Sequence, residues 1–338
     1  MKRSLARLSV PLKTPFVTSG GVVVARELLL LRLEDDDGAV GYGEGSPLEP
    51  YDGVTIDEVA AALRAGDSSQ PHARAAEEMA RLDLEGRREG RGLGEPGADV
   101  IPVNRTLAAG PPEEVARAAR EALREGFACF KLKVGLPDDT ERVAAVREAI
   151  GPWPALRLDA NGAWSPPEAA KRIEALEPYD LQLVEQPCAT LEELAVLRPQ
   201  VRAPIAADES VRTAEDVRRA AETRACHVVN VKLAGSGGYS AAREALREAE
   251  AAGLRAFLSS TLDGPWGIAA ALQLAASEGV ALACGLATLE LFDARLARVL
   301  PGPSAGLLPV PEGPGLGIEV SEEALSEVLV EELHPADA

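Results

Sequence analysis

Lysine is scarce in this chain. Of 35 basic residues only Lys2, Lys13, Lys131, Lys133, Lys171 and Lys232 are lysines, and the rest are arginines. A guanidinium stays charged under working conditions, whereas an ammonium can give and take protons, so a lysine kept where arginine would serve asks for a chemical reason. Codon bias is the competing explanation. Three of these lysines stand with acids at the ends of short apolar runs: Phe130-Lys131-Leu132-Lys133, Leu158-Asp159-Ala160-Asn161, Val184-Glu185-Gln186-Pro187, Ala207-Asp208-Glu209-Ser210 and Asn230-Val231-Lys232. Lys133, Asp159, Glu185, Asp208 and Lys232 succeed one another at intervals of 26, 26, 23 and 24 residues.

Such an interval accommodates one strand and one helix, so each ionisable residue closes one strand-helix unit. Period two places Lys131 and Lys133 on one face of their strand, where mutual repulsion is expected to lower the pKa of each. Asp159, Glu185 and Asp208 then converge from three successive strands. Unpaired, they would raise one another's pKa, so a cation is expected among them. An all-oxygen set favours a hard divalent ion, Mg²⁺ first and Mn²⁺ second. Any one of these acids alone reads as a helix cap or a solvated charge; five ionisable positions in register do not.

The elements that must hold these residues alternate. Strand-like runs at 100–107, 128–134, 156–158, 181–184, 205–207, 228–232, 255–259 and 281–284 are separated by helical patterns, which implies a parallel sheet in an α/β fold. Seven to eight such units point to a TIM-type (β/α) barrel, with active groups at the C-terminal strand ends. An open doubly wound sheet is the alternative, but no GxGxxG turn follows the first strand. The expected divisions are an α+β unit at 1–98, the barrel at 99–298 and a C-terminal segment at 299–338. In the first unit, runs at 28–33 and 40–42 flank the turn Asp35-Asp36-Asp37-Gly38 as a hairpin, and helices are expected at 55–65 and 70–88. A strand at 316–320 is expected to carry the tail back to the N-terminal unit.

Composition narrows the partners. The content is 46% hydrophobic and 26% charged, enough for a sizeable core, and the formal charge of −19 disfavours nucleic acid and anionic membranes. No apolar run approaches the length of a membrane span, and no signal-peptide core follows Met1. Four scattered cysteines and three scattered histidines support neither a disulfide framework nor a zinc site, and a reducing cytoplasm is the expected compartment.

The series KLK, LDAN, VEQP, ADES and NVK resembles the enolase superfamily, and within it the muconate-lactonizing subgroup, which carries lysines on both sides of its metal. The segment Gly41 to Pro47, GYGEGSP, is similar to the N-terminal capping domain of that family, so the resemblance spans nearly the whole chain. It implies Asp159, Glu185 and Asp208 as metal ligands, Lys133 as the base with Lys131 beside it, Lys232 on the opposite face, and Asn161 and Glu209 supporting the ligands. Enolase-superfamily sites are known for a Lys or His base working with one or two Mg²⁺ ions, which fits that set. The shared chemistry is removal of a proton alpha to a carboxylate by way of an enediolate, and the implied partner is a small carboxylate substrate; a homo-oligomer is compatible with it.

Two further segments, Ser259-Ser260-Thr261-Leu262-Asp263 and the CGLATL run from Cys284, resemble those of the o-succinylbenzoate synthases, which dehydrate a cyclohexadiene carboxylate in menaquinone synthesis. On that resemblance Thr18, Ser19, Ser259, Ser260, Gly285 and Leu286 are expected to line the substrate pocket, with the segment from Pro15 to Gly21 as a closing loop that orders on binding. Leu286 and Ala287 stand where dipeptide epimerases carry an acidic pair, which disfavours that activity. Trp266 departs from the usual smaller polar residue, and either narrows the pocket or packs in its loop. The alternatives are an N-succinylamino acid racemase or cycloisomerase with the same catalytic residues, and a non-catalytic barrel scaffold, which would gain nothing from clustered carboxylates.

Overall fold

A computed structural model describes residues 1–18 and 21–333. Thirteen strands appear among these residues: β1 (Lys2–Thr18), β2 (Gly21–Glu34), β3 (Val40–Gly45), β4 (Val100–Pro102), β5 (Arg105–Leu107), β6 (Cys129–Lys133), β7 (Ala155–Asp159), β8 (Leu181–Glu185), β9 (Ile205–Ala207), β10 (Val228–Val231), β11 (Arg255–Leu258), β12 (Leu307–Pro309) and β13 (Leu329–Leu333). The helices are α1 (Glu49–Asp52), α2 (Ile56–Ala65), α3 (Pro71–Glu89), α4 (Pro112–Arg124), α5 (Asp139–Ile150), α6 (Pro166–Leu176), α7 (Leu191–Leu197), α8 (Ala214–Glu222), α9 (Leu233–Ser236), α10 (Tyr239–Ala251), α11 (Pro265–Ser277) and α12 (Glu322–Ser326).

The larger sheet has seven parallel strands in the order β11-β10-β9-β8-β7-β6-β5, so each strand lies beside its sequence neighbour and the sheet curls in one sense. Its strands are short and buried on both faces, as a parallel sheet enclosed by helices requires. Helix starts are set locally: Thr55 with Glu58, Thr190 with Glu193 and Thr213 with Asp216 form reciprocal caps that satisfy the first backbone donors. No strand forms at 281–284. There Cys284 donates to Pro102 O at 2.7 Å and Gly285 donates to Leu258 O at 2.8 Å, so this segment bonds to chain at both edges of the curled sheet.

The expected strand at 100–107 divides in two. β4 pairs antiparallel with β12, and β5 joins the parallel sheet, because the chain between them bridges Cys284 at Val103.

The second sheet is antiparallel, in the order β13-β1-β2-β3. The turn after β2 forms as expected, with Asp35 N donating to Ala39 O at 3.0 Å. No strand forms at 316–320. Gly313, Gly315 and Gly317 all adopt positive φ and break any extended run, while Leu316 N donates to the buried Asp83 carboxylate at 2.8 Å. The tail reaches the N-terminal sheet instead through β13, whose Leu333 pairs with Leu5. α3 lies close on β3: a Cβ at Gly43 would fall 1.9 Å from Ala76 O, so only glycine permits this approach. Apart from Gln273, α11 is apolar around its whole circumference and buried from Pro265 to Ala276, because it packs against both β3 and β11. Trp266, on its first turn, is 2% exposed and sits 6.5 Å from Tyr42 between ring centres. It packs between the sheets and is not among the residues lining the cavity at the C-terminal ends of the parallel strands.

Candidate active site

A cavity of about 190 Å³ opens at the C-terminal ends of the parallel strands. Each ionisable residue singled out by spacing ends one of these strands or follows it directly, which is why residues far apart in sequence meet here. One oxygen from each of Asp159, Glu185 and Asp208 lies within 4.8 Å of the others, and all three side chains are buried. Glu185 Oε2 has no protein hydrogen-bond partner. An unpartnered buried carboxylate oxygen between two further carboxylates is what a hard divalent cation would satisfy, so the residues present fit Mg²⁺.

The amines enclose this cluster. Lys131 Nζ lies 2.8 Å from both Asp159 Oδ2 and Glu185 Oε1, and Lys133 Nζ donates to Asp159 Oδ2 at 2.6 Å and to Asn161 Oδ1 at 2.9 Å. Lys232, beyond the three intervening strands β7, β8 and β9, pairs with Asp208. Asn161 Nδ2 donates to Glu209 Oε1 at 2.8 Å, linking the two supporting residues. Burial works against each charge, but neighbours decide the outcome. Lys131 is held above the ordinary ammonium range by the carboxylates of Asp159, Glu185 and Asp208, and Asp159 is held below the carboxylate range by Lys131 and Lys133. At Lys131 these three carboxylates outweigh the repulsion expected from Lys133. Burial, with Asp159 and Asp208 nearby, pushes Glu185 up, while burial with Asp208 and Asp159 pushes Glu209 up to about 8.

The substrate residues divide. Ser259, Ser260 and Gly285 line the cavity, and Ser259 Oγ has no protein partner. Gly285 is required by contact, since a Cβ there would meet Ser259 Cβ at 2.7 Å. Leu286 is fully buried and lines a separate cavity beside Ile268 and Leu272. Thr288 and Leu291 line the active-site cavity from that stretch instead. Thr18 ends β1 as a backbone partner of Gly21, and Ser19 and Gly20 lie outside the described residues. Phe16 and Val23, on either side of them, do line the cavity.

Spacing missed two contributors. Asn230 donates to Glu185 Oε1 at 2.8 Å, and its position two residues before Lys232 on β10 was the available signal. Tyr51 donates to Asp208 Oδ1 at 3.0 Å and accepts from Lys232 Nζ at 2.7 Å. It arrives from α1, outside the repeating units, and no periodicity announces it.

A parallel α/β sheet with three buried carboxylates at successive strand ends, framed by amines from β6 and β10, defines an enzyme framework of the metal-assisted class. The chain belongs to the enolase superfamily: the family model described as Enolase C-terminal domain-like matches residues 114–324. It is 39% identical over 334 residues to the o-succinylbenzoate synthase of Thermobifida fusca (strain YX), covering 97% of this chain and 91% of that one. The N-succinyl Arg/Lys racemase from Bacillus cereus ATCC 14579 has a TM-score of 0.91 at 25% identity, covering 98% of both chains. A dipeptide epimerase from Enterococcus faecalis V583, complexed with Mg and the dipeptide L-Leu-L-Tyr, has a TM-score of 0.87 at 30% identity, covering 95% of this chain and 99% of that one. No helix among the described residues is long and apolar enough to cross a membrane.

Proposed function

We propose that this chain is a Mg²⁺-dependent dehydratase of the o-succinylbenzoate synthase type, acting in the cytoplasm on a cyclohexadiene carboxylate in menaquinone synthesis. The observation that carries the reading is the pairing of a carboxylate triad with Lys133 on one side and Lys232 on the other of a single cavity. Asp159, Glu185 and Asp208 would hold the ion, which when bound would supply positive charge to a substrate carboxylate whose neighbouring carbon loses a proton. Lys133 takes that proton and, for a syn elimination, passes it to the departing hydroxyl, which leaves as water. Lys232 stays charged on the other face and stabilises the developing anion. Asn161 and Glu209 hold Lys133 and the ligand strands in place.

Identity to the Thermobifida fusca synthase along 97% of the chain supports the choice of reaction. So does the composition of the cavity wall: Gly285, Thr288 and Leu291, its lining residues from the stretch after β11 and α11, carry no carboxylate to hold a dipeptide ammonium. The antiparallel sheet with the C-terminal segment acts as a cap, with units at 1–98, 99–298 and 299–338, and Phe16 and Val23 reach the cavity from it.

Racemisation of N-succinylamino acids is the second reading, favoured by the amine on each side of the cavity, because two facing bases can serve both enantiomers. A panel assay with the cyclohexadiene substrate and N-succinylamino acids, read by absorbance and optical rotation, separates them. Racemisation without dehydration would overturn the first reading.

A further inference from the structure

We propose that Tyr51 is a positioning residue that fixes the Lys232 ammonium at the active-site cavity, so that the amine on one substrate face depends on a side chain from outside the parallel sheet. The proposal rests on the reading of Lys232 as the amine of the far face. Three contacts define it. Tyr51 Oη accepts from Lys232 Nζ at 2.7 Å, donates to Asp208 Oδ1 at 3.0 Å, and its ring centre lies 4.3 Å from the same Nζ. Lys232 also pairs directly with Asp208. Asp208, however, is one of the three acids suited to a divalent ion, and a carboxylate whose charge is shared with such an ion attracts an ammonium less strongly. The neutral hydroxyl and the ring face of Tyr51 keep their hold in either state.

A second observation shows what Tyr51 prevents. Tyr51 and Lys232 line two cavities, the active-site one and a smaller space of about 90 Å³ that is also bounded by Asp52, His72, Arg212 and Ser236. The lysine stem is flexible enough to serve either, and the smaller space offers the carboxylate of Asp52 as an alternative partner. Tyr51 itself cannot follow. Its short helix α1 is tied by Asp52, which accepts from Leu48 N at 3.0 Å and from Val54 N at 2.9 Å and lies 3.0 Å from His72 Nε2 on α3. A fixed hydroxyl at the boundary between two cavities thus selects the lysine conformer that faces substrate.

The consequence is face-specific, because Tyr51 touches Lys232 and has no bond to Lys133, which is held by Asp159 and Asn161. Tyr51→Phe keeps the ring and most of the volume, and Tyr51→Leu removes both holds. Crystals of wild type and of Tyr51→Phe soaked with Mg²⁺ alone should show Lys232 Nζ withdrawn toward the smaller cavity in the variant, and further in Tyr51→Leu. An unmoved Nζ in both variants with the ion bound overturns the proposal. In D₂O, exchange of the α-proton of the two enantiomers of an N-succinylamino acid reports the two faces separately. Tyr51→Phe is expected to slow one enantiomer by about tenfold or more and to leave the other within about twofold, the scale set by misplacing a reacting group by roughly 1 Å. Equal slowing of both marks a merely structural role and overturns the proposal. Wild-type protein that exchanges only one enantiomer counts against a proton-transferring Lys232, while the Mg²⁺-soaked crystals still decide the part played by Tyr51.

Discussion

Glu185 is gripped through one oxygen, Oε1, by Lys131 and Asn230, each at 2.8 Å, while Oε2 is left without a protein donor. That asymmetry makes it the most telling ligand to alter. Glu185→Gln keeps the volume and removes the charge, so Mg²⁺ binding by calorimetry and turnover are both expected to be lost while the circular dichroism spectrum is unchanged; full activity of the variant in metal-depleted buffer would remove Glu185 from the ligand set. The lysines separate by role. Lys133→Arg is expected to catalyse neither dehydration nor racemisation, because a guanidinium cannot act as a base. Lys232→Arg retains measurable dehydration if the amine serves only as a cation, and loses racemisation in both directions. Solvent deuterium entering substrate at the wild-type rate in Lys133→Arg would show that another group takes the proton.

Where β3 meets α3 and α11, single atoms decide how elements pack. Gly43→Ala forces a methyl group to within 1.9 Å of Ala76 O unless the backbone moves, and a loss of about 1–3 kcal/mol or more in urea unfolding is expected. One residue further on, Glu44 is buried between β3 and α11 and accepts from Gly264 N at 2.7 Å and Gly267 N at 3.2 Å. Burial and the neighbouring Asp263 push it up to about 8, from an ordinary value of 4.5. Between those values the folded chain keeps a proton that the unfolded chain has released, so this contribution to stability is whole below pH 4.5 and is lost as pH rises toward 8, with a slope of at most about 1.4 kcal/mol per unit. Urea midpoints of Glu44→Gln should therefore decline less than wild type across that window, and parallel curves would disprove the assignment. The strand-helix alternation behind this packing was readable because each strand is a short apolar run and each helix an amphipathic one. β1 was not, since Pro11 and Pro15 interrupt its pattern and its register shifts between Pro11 and Phe16. β13 was missed because Leu329–Leu333 carries two glutamates and is mostly exposed, while the more apolar 316–320 drew the expectation. In the site, residues bound to the strand period were legible; Tyr51 and the inward turn of Thr288 in place of Leu286 depend on contacts between elements, which periodicity does not encode.

For the molecule as a whole, the metal and the fold are linked. An ion that binds only the folded chain adds about 2.7 kcal/mol at a hundred times its Kd, so melting in Mg²⁺ should be raised by a few degrees over melting in chelator, and an unchanged Tm would return the chain to the scaffold reading. Both sheets draw on distant parts of the sequence, and the smaller one does so to an extreme, with Leu5 of β1 paired to Leu333 of β13. On the ribosome, β1 is made before its partners and β2 follows soon after it, but its other edge stays open until β13 has been translated. Open edges recruit other strands, and charge along them discourages it. Lys2, Arg3 and Arg7 lie on β1, so nascent chains waiting side by side on one messenger would present like charges to each other along the very strand that is still without its partner.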